Sequence, residues 1–467
     1  MRNAFRPSDL AAVRIVSKFA MRELLTHLMR IRPLLRRVFA SQLGQNILTN
    51  YLTVVWMGGL SIVLIPLYLK RLGPNQWGVV AICMAIQGFL GLLDAGLGQI
   101  MPRDIARVAG DRIAEARVFR VFSRAYVSLG LVGLVLGQAS VPWLIEHWFN
   151  QGQGVGDGAG LALRLVLVQF LFQFANNAHM GYWNGLQAQK LANLRQCVFG
   201  TAKHTGALAL VYMWRADAIA YLLPFALISA LEWWTNRHTV CGRLGNLADG
   251  KTSVADFKVL AREAGVLALG VLIGMLVSQI DRIVLSRSVD SASFGRYVIV
   301  ANLGLAFMQL QYPLMRAFFP RIVRVDASGS HVFQWQQWLG VLALCVLPCG
   351  LVALLAPWLL QVWIGSPQMV AEGSAPLRLI LGAVAINAVY HLIYQRILAR
   401  GQGRLVVLIN LVALVFVTPL AMLAAWEYGI IAGGLAWLLG AVIQLGFGAV
   451  WLLKNGTPRR QQSLGNG

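Results

Sequence analysis

Apolar stretches, each about 18 to 25 residues and so long enough to cross roughly 30 Å of hydrocarbon as a helix, recur from Ile47 to Leu453. Inside a bilayer there is no water to bond, so the backbone of such a stretch must satisfy its own hydrogen bonds, as a helix does. An all-α polytopic membrane protein follows. Only 12% of the residues are charged while 58% are apolar, against roughly a quarter charged in a soluble domain. That imbalance excludes most soluble folds.

The formal charge of +22 invites a nucleic-acid reading, but the basic residues sit in short segments between apolar runs, where membrane topology explains them. No nucleic-acid partner is expected. Five cysteines (Cys83, Cys197, Cys241, Cys345, Cys349) form no CxxC pair and fall mostly inside apolar runs, so neither a disulfide framework nor a zinc site is implied, and no cofactor is expected. The first 45 residues are charged throughout and lack the apolar core and cleavage site of a signal peptide. Ser8-Asp9 can cap a helix in which apolar residues recur around Arg14, Lys18, Arg22, Arg30, Arg32, Arg36 and Arg37. Residues 1–45 therefore read as a basic amphipathic segment on the cytoplasmic membrane surface. A true start at Met21 or Met29 is the alternative.

Apolar runs, interfacial Trp and Tyr, and Pro, Gly and Asn breaks place about twelve spans, at 46–69, 76–100, 120–148, 161–185, 196–214, 216–235, 263–285, 294–318, 337–363, 377–399, 405–425 and 428–453. Lysines and arginines divide unequally between alternate connections. Residues 1–45, 101–120, 186–195, 236–262, 319–335, 396–404 and those beyond 453 hold 29 of them, against 4 in the opposite set. Cytoplasmic loops retain positive charge, so both termini are expected in the cytoplasm of a bacterial inner membrane. The longest connection, 236–262, separates a first six-helix bundle, 46–235, from a second, 263–453, followed by a cytoplasmic tail, 454–467.

That division exposes a repeat. Trp77-Gly78 opens a span ending near Pro102-Arg103, and Phe294-Gly295 opens one ending at Pro320-Arg321. Asn176, His179 and Tyr182 match Asn387, His391 and Tyr394 at an offset near 212 residues. Two parallel six-helix halves around a central cavity fit both matches. Gly133-x3-Gly137 and Gly270-x3-Gly274 add small-residue packing signals within spans.

Ile65-Pro66-Leu67-Tyr68-Leu69, Leu72-Gly73-Pro74-x2-Trp77-Gly78 and Leu92-Leu93-Asp94-Ala95-Gly96-Leu97-Gly98, followed by Arg103 and Arg107, resemble the N-terminal signature of the polysaccharide-transporter family. That family includes Wzx-type flippases for O-antigen and exopolysaccharide. Gln279-Ile280-Asp281-Arg282, Phe294-Gly295 and Phe319-Pro320-Arg321 extend the resemblance through the second half. It implies membership of a wider exporter superfamily, alternating access, and transfer of undecaprenyl-diphosphate-linked oligosaccharide repeat units to the periplasmic leaflet. Polymerases and glycosyltransferases of the same pathway are the implied partners, beside the bilayer itself.

A diphosphate headgroup needs a hydrated, cationic path, because burying an uncompensated charge costs several kcal/mol. Ionisable residues within spans are therefore the candidates. Lys203, beside His204, falls near mid-depth and is the leading headgroup contact, the alternative being a lysine that snorkels or pairs with Asp94 or another acid. Arg124 and Arg316 near cytoplasmic ends, with Arg164, Arg282, Arg296 and Arg378 near periplasmic ends, form entry and exit candidates or interfacial anchors. His179 and His391 are candidates for proton coupling or for interhelical bonds. Asp94 reads as gating, structural or ion-coupling. Gln169, Gln173, Asn176 and His179 share one helical stripe, either a wet face for sugar hydroxyls or glue between helices.

Three rivals remain at this stage. A multidrug or organic-cation antiporter of the same superfamily prefers acids in its cavity, whereas seven Lys or Arg fall inside the spans here, with Asp94 the one acid near a span's interior. A membrane-embedded glycan polymerase or ligase generally carries a long periplasmic loop, and the longest expected here, about 364–376, is short. No nucleotide-binding GxxxxGK[ST] run is present. A purely structural scaffold for a polysaccharide assembly complex is the third.

Overall fold

The computed structural model describes residues 42–94, 96–148, 158–245, 247, 272–312, 314–315 and 335–455. The basic segment up to residue 41, most of the 236–262 connection, Arg316 and the tail beyond 455 lie outside the described residues. Among those described there is helix and no strand. Among the described residues, nine helices are long and apolar enough to cross a membrane.

The first helix, α1 (Gln42–Leu90), is too long for one crossing: its 49 residues extend about 74 Å at 1.5 Å per residue, more than twice the hydrocarbon core. It bends at Gly73, whose φ of 72° and ψ of 169° are non-helical, and Pro74 follows with no N–H to give. Tyr68 and Trp77 stack across the bend, ring centroids 6.3 Å apart. The first two expected spans are thus the two arms of α1.

The second of these spans does not run on to residue 100 as expected. A 3-10 turn over Gly91–Asp94 ends the arm, and α2 (Leu97–Val108) starts afresh after Gly96 in the left-handed region, φ 83°. Leu92, Leu93, Ala95 and Leu97 carry the apolar run past the break, with only Asp94 and Gly96 to mark it. Leu97, Ile100, Met101 and Ile105 of α2 are buried, while Arg103 and Arg107 flank Asp104 at 3.1 and 3.6 Å. Such a helix, apolar on one side only, suits a membrane surface.

The first half continues with α3 (Arg112–Trp143), α4 (Ala159–Gly185), α5 (Gln189–Met213) and α6 (Ala218–Leu244). The second comprises α7 (Ile280–Ser288), α8 (Ser291–Ala306), α9 (Trp335–Val341), α10 (Leu347–Leu354), α11 (Ala356–Ile364), α12 (Pro367–Ala399), α13 (Gly403–Tyr428) and α14 (Ile431–Asn455). Polar caps fix several starts. Asp111 accepts from the N–H groups of Ile113 and Ala114, Asp217 from Ala220 and Asp290 from Ser293, each cap contributing about 1 kcal/mol. The sixth helix does not stop at 235 but continues to Leu244.

The halves meet through their repeated motifs. Gly78 and Gly295 face one another closely: a Cβ on Gly295 would lie 3.1 Å from Gly78 Cα, and one on Gly78 would lie 2.9 Å from Ser291 Cβ and overlap the Ser291 carbonyl. Only glycine allows this approach. Trp363 Nε1 donates to the Ile62 carbonyl at 2.7 Å, a second tie between halves. Both ties lie toward the end of the molecule that carries the bend at Gly73.

Candidate functional site

Between the halves lies a cavity of about 510 Å³, walled by Ile82, Ile86 and Phe89 of α1, Leu136 of α3 and Leu167 of α4 on one side, and by Gln279, Arg282 and Ile283 on the other. Among the described residues that line it, Arg282 is the one that is charged. Its Nη2 donates to Asn302 Oδ1 at 2.7 Å. The neighbouring Asp281 turns away, accepts from the Tyr297 hydroxyl and lines a smaller cavity of about 170 Å³ within the second half. Asp281 and Arg282, adjacent in the chain, therefore take different partners, the Tyr297 hydroxyl and Asn302. They serve two different compartments.

Within the first half, Lys203 Nζ lies 2.6 Å from Glu232 Oε2, both side chains 12% exposed. Asn176 Nδ2 donates to the other Glu232 oxygen at 3.1 Å, and Asn236 Nδ2 to Asn176 Oδ1 at 2.9 Å. Arg195 on α5 completes the chain, donating to Asn236 and Thr239. Of the alternatives for Lys203, the structure selects pairing with an acid. Sequence reasoning misjudged Glu232 as a span-end residue because it ended the sixth helix at 235; with α6 running to Leu244, Glu232 sits at mid-helix. Deleting either partner of such a buried pair strands a charge, at about 3–5 kcal/mol.

The second half repeats this core with neutral groups. Asn387 Nδ2 donates to Gln444 Oε1 at 3.4 Å, Gln444 Nε2 to Asn410 Oδ1 at 3.0 Å, and Gln311 Nε2 to Asn387 Oδ1 at 3.2 Å. Asn176 and Glu232 map onto Asn387 and Gln444 at the offset near 212 already visible in the sequence. That offset is the signal that could have singled out Glu232 and Gln444.

The remaining candidates scatter. Asp94 accepts from the Tyr126 hydroxyl at 2.7 Å and from the Gly98 N–H at 3.1 Å, so it caps α2 and fixes the break. Arg164 exchanges hydrogen bonds with Gln138, and Arg378 donates to the Ala353 carbonyl; both are exposed and tie corresponding helix pairs together. Arg124 is exposed on α3. Arg296 pairs with Glu372 at 2.8 Å. His204 lies among aromatics, 5.1 Å from the Phe225 ring centroid and 6.3 Å from that of Tyr68.

His179 is wholly buried, its ring 5.5 Å from that of Phe119, whereas His391 is half-buried near Tyr394 at 5.2 Å. The structure does not bring the two histidines together. Nor is the glutamine stripe a uniform wet face: Gln169, Asn176 and His179 are buried and Gln173 is exposed, with a 3.4 Å bond from Gln169 to Gln173.

A family model described as polysaccharide biosynthesis protein matches residues 43–326. A Shigella flexneri protein provisionally named as an O-antigen transporter is 20% identical over 375 residues, covering 80% of this chain and 89% of that one. Among solved structures, the lipid II flippase MurJ in an inward closed conformation matches with a TM-score of 0.69 at 9% identity, over 88% of this chain and 87% of that one. An inward-facing multidrug resistance transporter of the MATE family and MOP superfamily matches with a TM-score of 0.65 at 14% identity, over 86% and 94%. At such identities the likeness concerns the fold.

Proposed function

We propose, from the premise that the chain belongs to the polysaccharide biosynthesis protein family, that it is a flippase carrying undecaprenyl-diphosphate-linked oligosaccharide repeat units between membrane leaflets by alternating access. The glycan serves O-antigen or exopolysaccharide assembly, alongside the polymerase and glycosyltransferases of that pathway. Both termini lie in the cytoplasm of a bacterial inner membrane, and the end where Gly78 meets Gly295 is periplasmic. The chain then comprises the basic segment 1–45, a bundle over 46–235, a linker, a bundle over 263–453 and a tail.

The observation that carries the reading is Arg282: among the described residues lining the cavity between the halves the single charge is a cation, with a neutral amide oxygen as its hydrogen-bond acceptor. A cavity of that sign suits an anion. It argues against the organic-cation antiporter, whose substrate such a wall repels. Lys203 Nζ carries three N–H donors, one of them directed at Glu232, so a headgroup would share the ammonium with that carboxylate.

The test is a deletion strain, analysed for lipid-linked repeat units by mass spectrometry and for surface glycan by blotting. Intact repeat units should accumulate while polymerised glycan falls, and the wild-type gene should reverse both. Unchanged glycan with raised sensitivity to cationic drugs would establish the antiporter instead.

A further inference from the structure

Pro66 lies inside α1 and has no N–H to donate, so the carbonyl four residues before it, that of Ile62, lacks the partner an α-helix would supply. The helix is not otherwise broken there, since α1 departs from helical φ and ψ only at Gly73, seven residues on. In hydrocarbon a carbonyl freed in this way must be satisfied by a neighbouring element. The donor comes from the other half of the molecule: Trp363 Nε1, at 2.7 Å.

Each side of this bond is anchored to its own half. The short helix α11 is seated on the second half through Ala356 and Leu360, both fully buried, and Leu360 packs so near α12 that a Cβ on Gly373 would lie 3.4 Å from its Cδ1. Gly365, in the left-handed region at φ 73°, ends the helix. Trp363 falls nearly one turn after Leu360 and so stands at the edge of the seated face, where its indole N–H reaches α1. The first arm of α1 is held to the first half, Tyr68 donating to the His204 carbonyl at 2.8 Å and Asn50 to Gln189 Oε1 at 2.9 Å. The indole bond therefore survives only while the halves stand together at this end.

Resting on the carrier reading above, we propose that Trp363 and the Ile62 carbonyl vacated by Pro66 form a latch between the halves, made when the periplasmic end is closed and broken when it opens. Pro66 gives the latch its strength. With any other residue at 66 the carbonyl keeps its helical bond in both states, and the indole adds only a second, weaker one. With proline the carbonyl is satisfied by Trp363 in the closed state and by nothing of the protein's own in the open state. The latch thus favours the state in which a carrier takes its substrate from the cytoplasmic leaflet.

The full-length protein, its five cysteines replaced by alanine, is spin-labelled through Lys70→Cys, beside the Gly73 bend, and Glu427→Cys, at the end of α13; both positions are exposed. In nanodiscs of phosphatidylethanolamine and phosphatidylglycerol, double electron–electron resonance reads the ratio of long to short label distances. Trp363→Phe removes the donor and keeps a ring, and should raise that ratio about three- to tenfold. Pro66→Ala returns the N–H and should shift the ratio the same way. The double variant should stay within about twofold of Trp363→Phe alone, because both changes act on one bond. Trp358→Phe, which replaces a 63% exposed indole on the same helix, should leave the ratio unchanged. A double variant whose shift is the product of the single ones, equal shifts by Trp358→Phe and Trp363→Phe, or one distance distribution shared by all variants overturns the latch. The carrier reading fails separately, if the parent gene does not clear accumulated lipid-linked repeat units from the deletion strain, whatever the distances show.

Discussion

Gly78→Ala is expected to wedge the halves apart at their tightest contact. The added methyl would fall 2.9 Å from Ser291 Cβ and into its carbonyl, whereas carbon atoms pack at about 3.5–4.0 Å, so the backbones must part by roughly an ångström. Backbone cannot rotate aside as a long side chain does. Overpacking of this kind costs about 1–3 kcal/mol, charged against the state in which this end is closed. If the end is open in the alternate state, the balance moves toward it about 5- to 150-fold. Cys83, fully buried one and a half turns along the same arm of α1, reports the opening once the other four cysteines are replaced by alanine. An impermeant maleimide applied from the side of the Gly73 bend should label it at least fivefold faster in Gly78→Ala than in the parent. Gly58→Ala, where nothing lies within 4 Å, is the matched control. Equal labelling in Gly78→Ala and Gly58→Ala, with equal thermal stability, would refute the reasoning.

Lys203→Met and Glu232→Gln should each lower stability, by about 3–5 kcal/mol where a charge is stranded, and the double variant should recover much of the loss; melting in detergent followed by gel filtration measures it. Asp94→Ala removes the acceptor of two hydrogen bonds and should cost about 1–3 kcal/mol, with Asp94→Asn intermediate in the same assay. Arg164→Gln and Arg378→Gln, which alter exposed helix ties, should leave glycan export within about twofold of wild type, being surface changes of small energetic weight. Arg282→Gln should abolish most export at equal protein level, and equal export by all three variants would remove the special standing of Arg282.

The succession of apolar helices was legible because hydrophobic length is a local property: each run from Ile47 onward announces its own helix, and nine of the described helices have the length and apolarity of a crossing, against the twelve spans expected. The bend at Gly73-Pro74 was legible for the same reason. What escaped depended on geometry between distant residues. The break at Asp94–Gly96 is made by a carboxylate reaching Tyr126 and Gly98, and the letters of Leu92 to Leu97 alone read as uninterrupted helix. Glu232 escaped because the polar stretch from Asn236 looks like loop. It remains helical because Asn236, Val240 and Leu244 are buried, with Asn236 bonded to Asn176 and Arg195. The directions of Asp281 and Arg282, one into each cavity, follow from helix rotation that no single-sequence pattern sets.

The two polar cores give the halves different mechanical character. In the first, Glu232 holds α4 and α5 to α6 through Asn176 and Lys203, and separating those helices means parting opposite charges in a medium that does not solvate them. In the second, Asn387, Gln444 and Asn410 tie α12, α14 and α13 with neutral amides, each worth about 0.5–1.5 kcal/mol and each able to trade one partner for another. The second half has its own ion pair, Arg296 with Glu372 at 2.8 Å between α8 and α12, so the bundles differ in where the charge sits: within the polar core in the first, apart from it in the second. Moving α13 or α14 against α12 parts only neutral amides at this core, and α7, which carries Arg282, contacts both α13 and α14. Arg282 therefore sits on a helix packed against the neutral core, opposite the apolar wall that α1, α3 and α4 supply. Movement of α7 together with those helices would change the distance between Arg282 and that wall, the spacing on which the proposed carrier role depends.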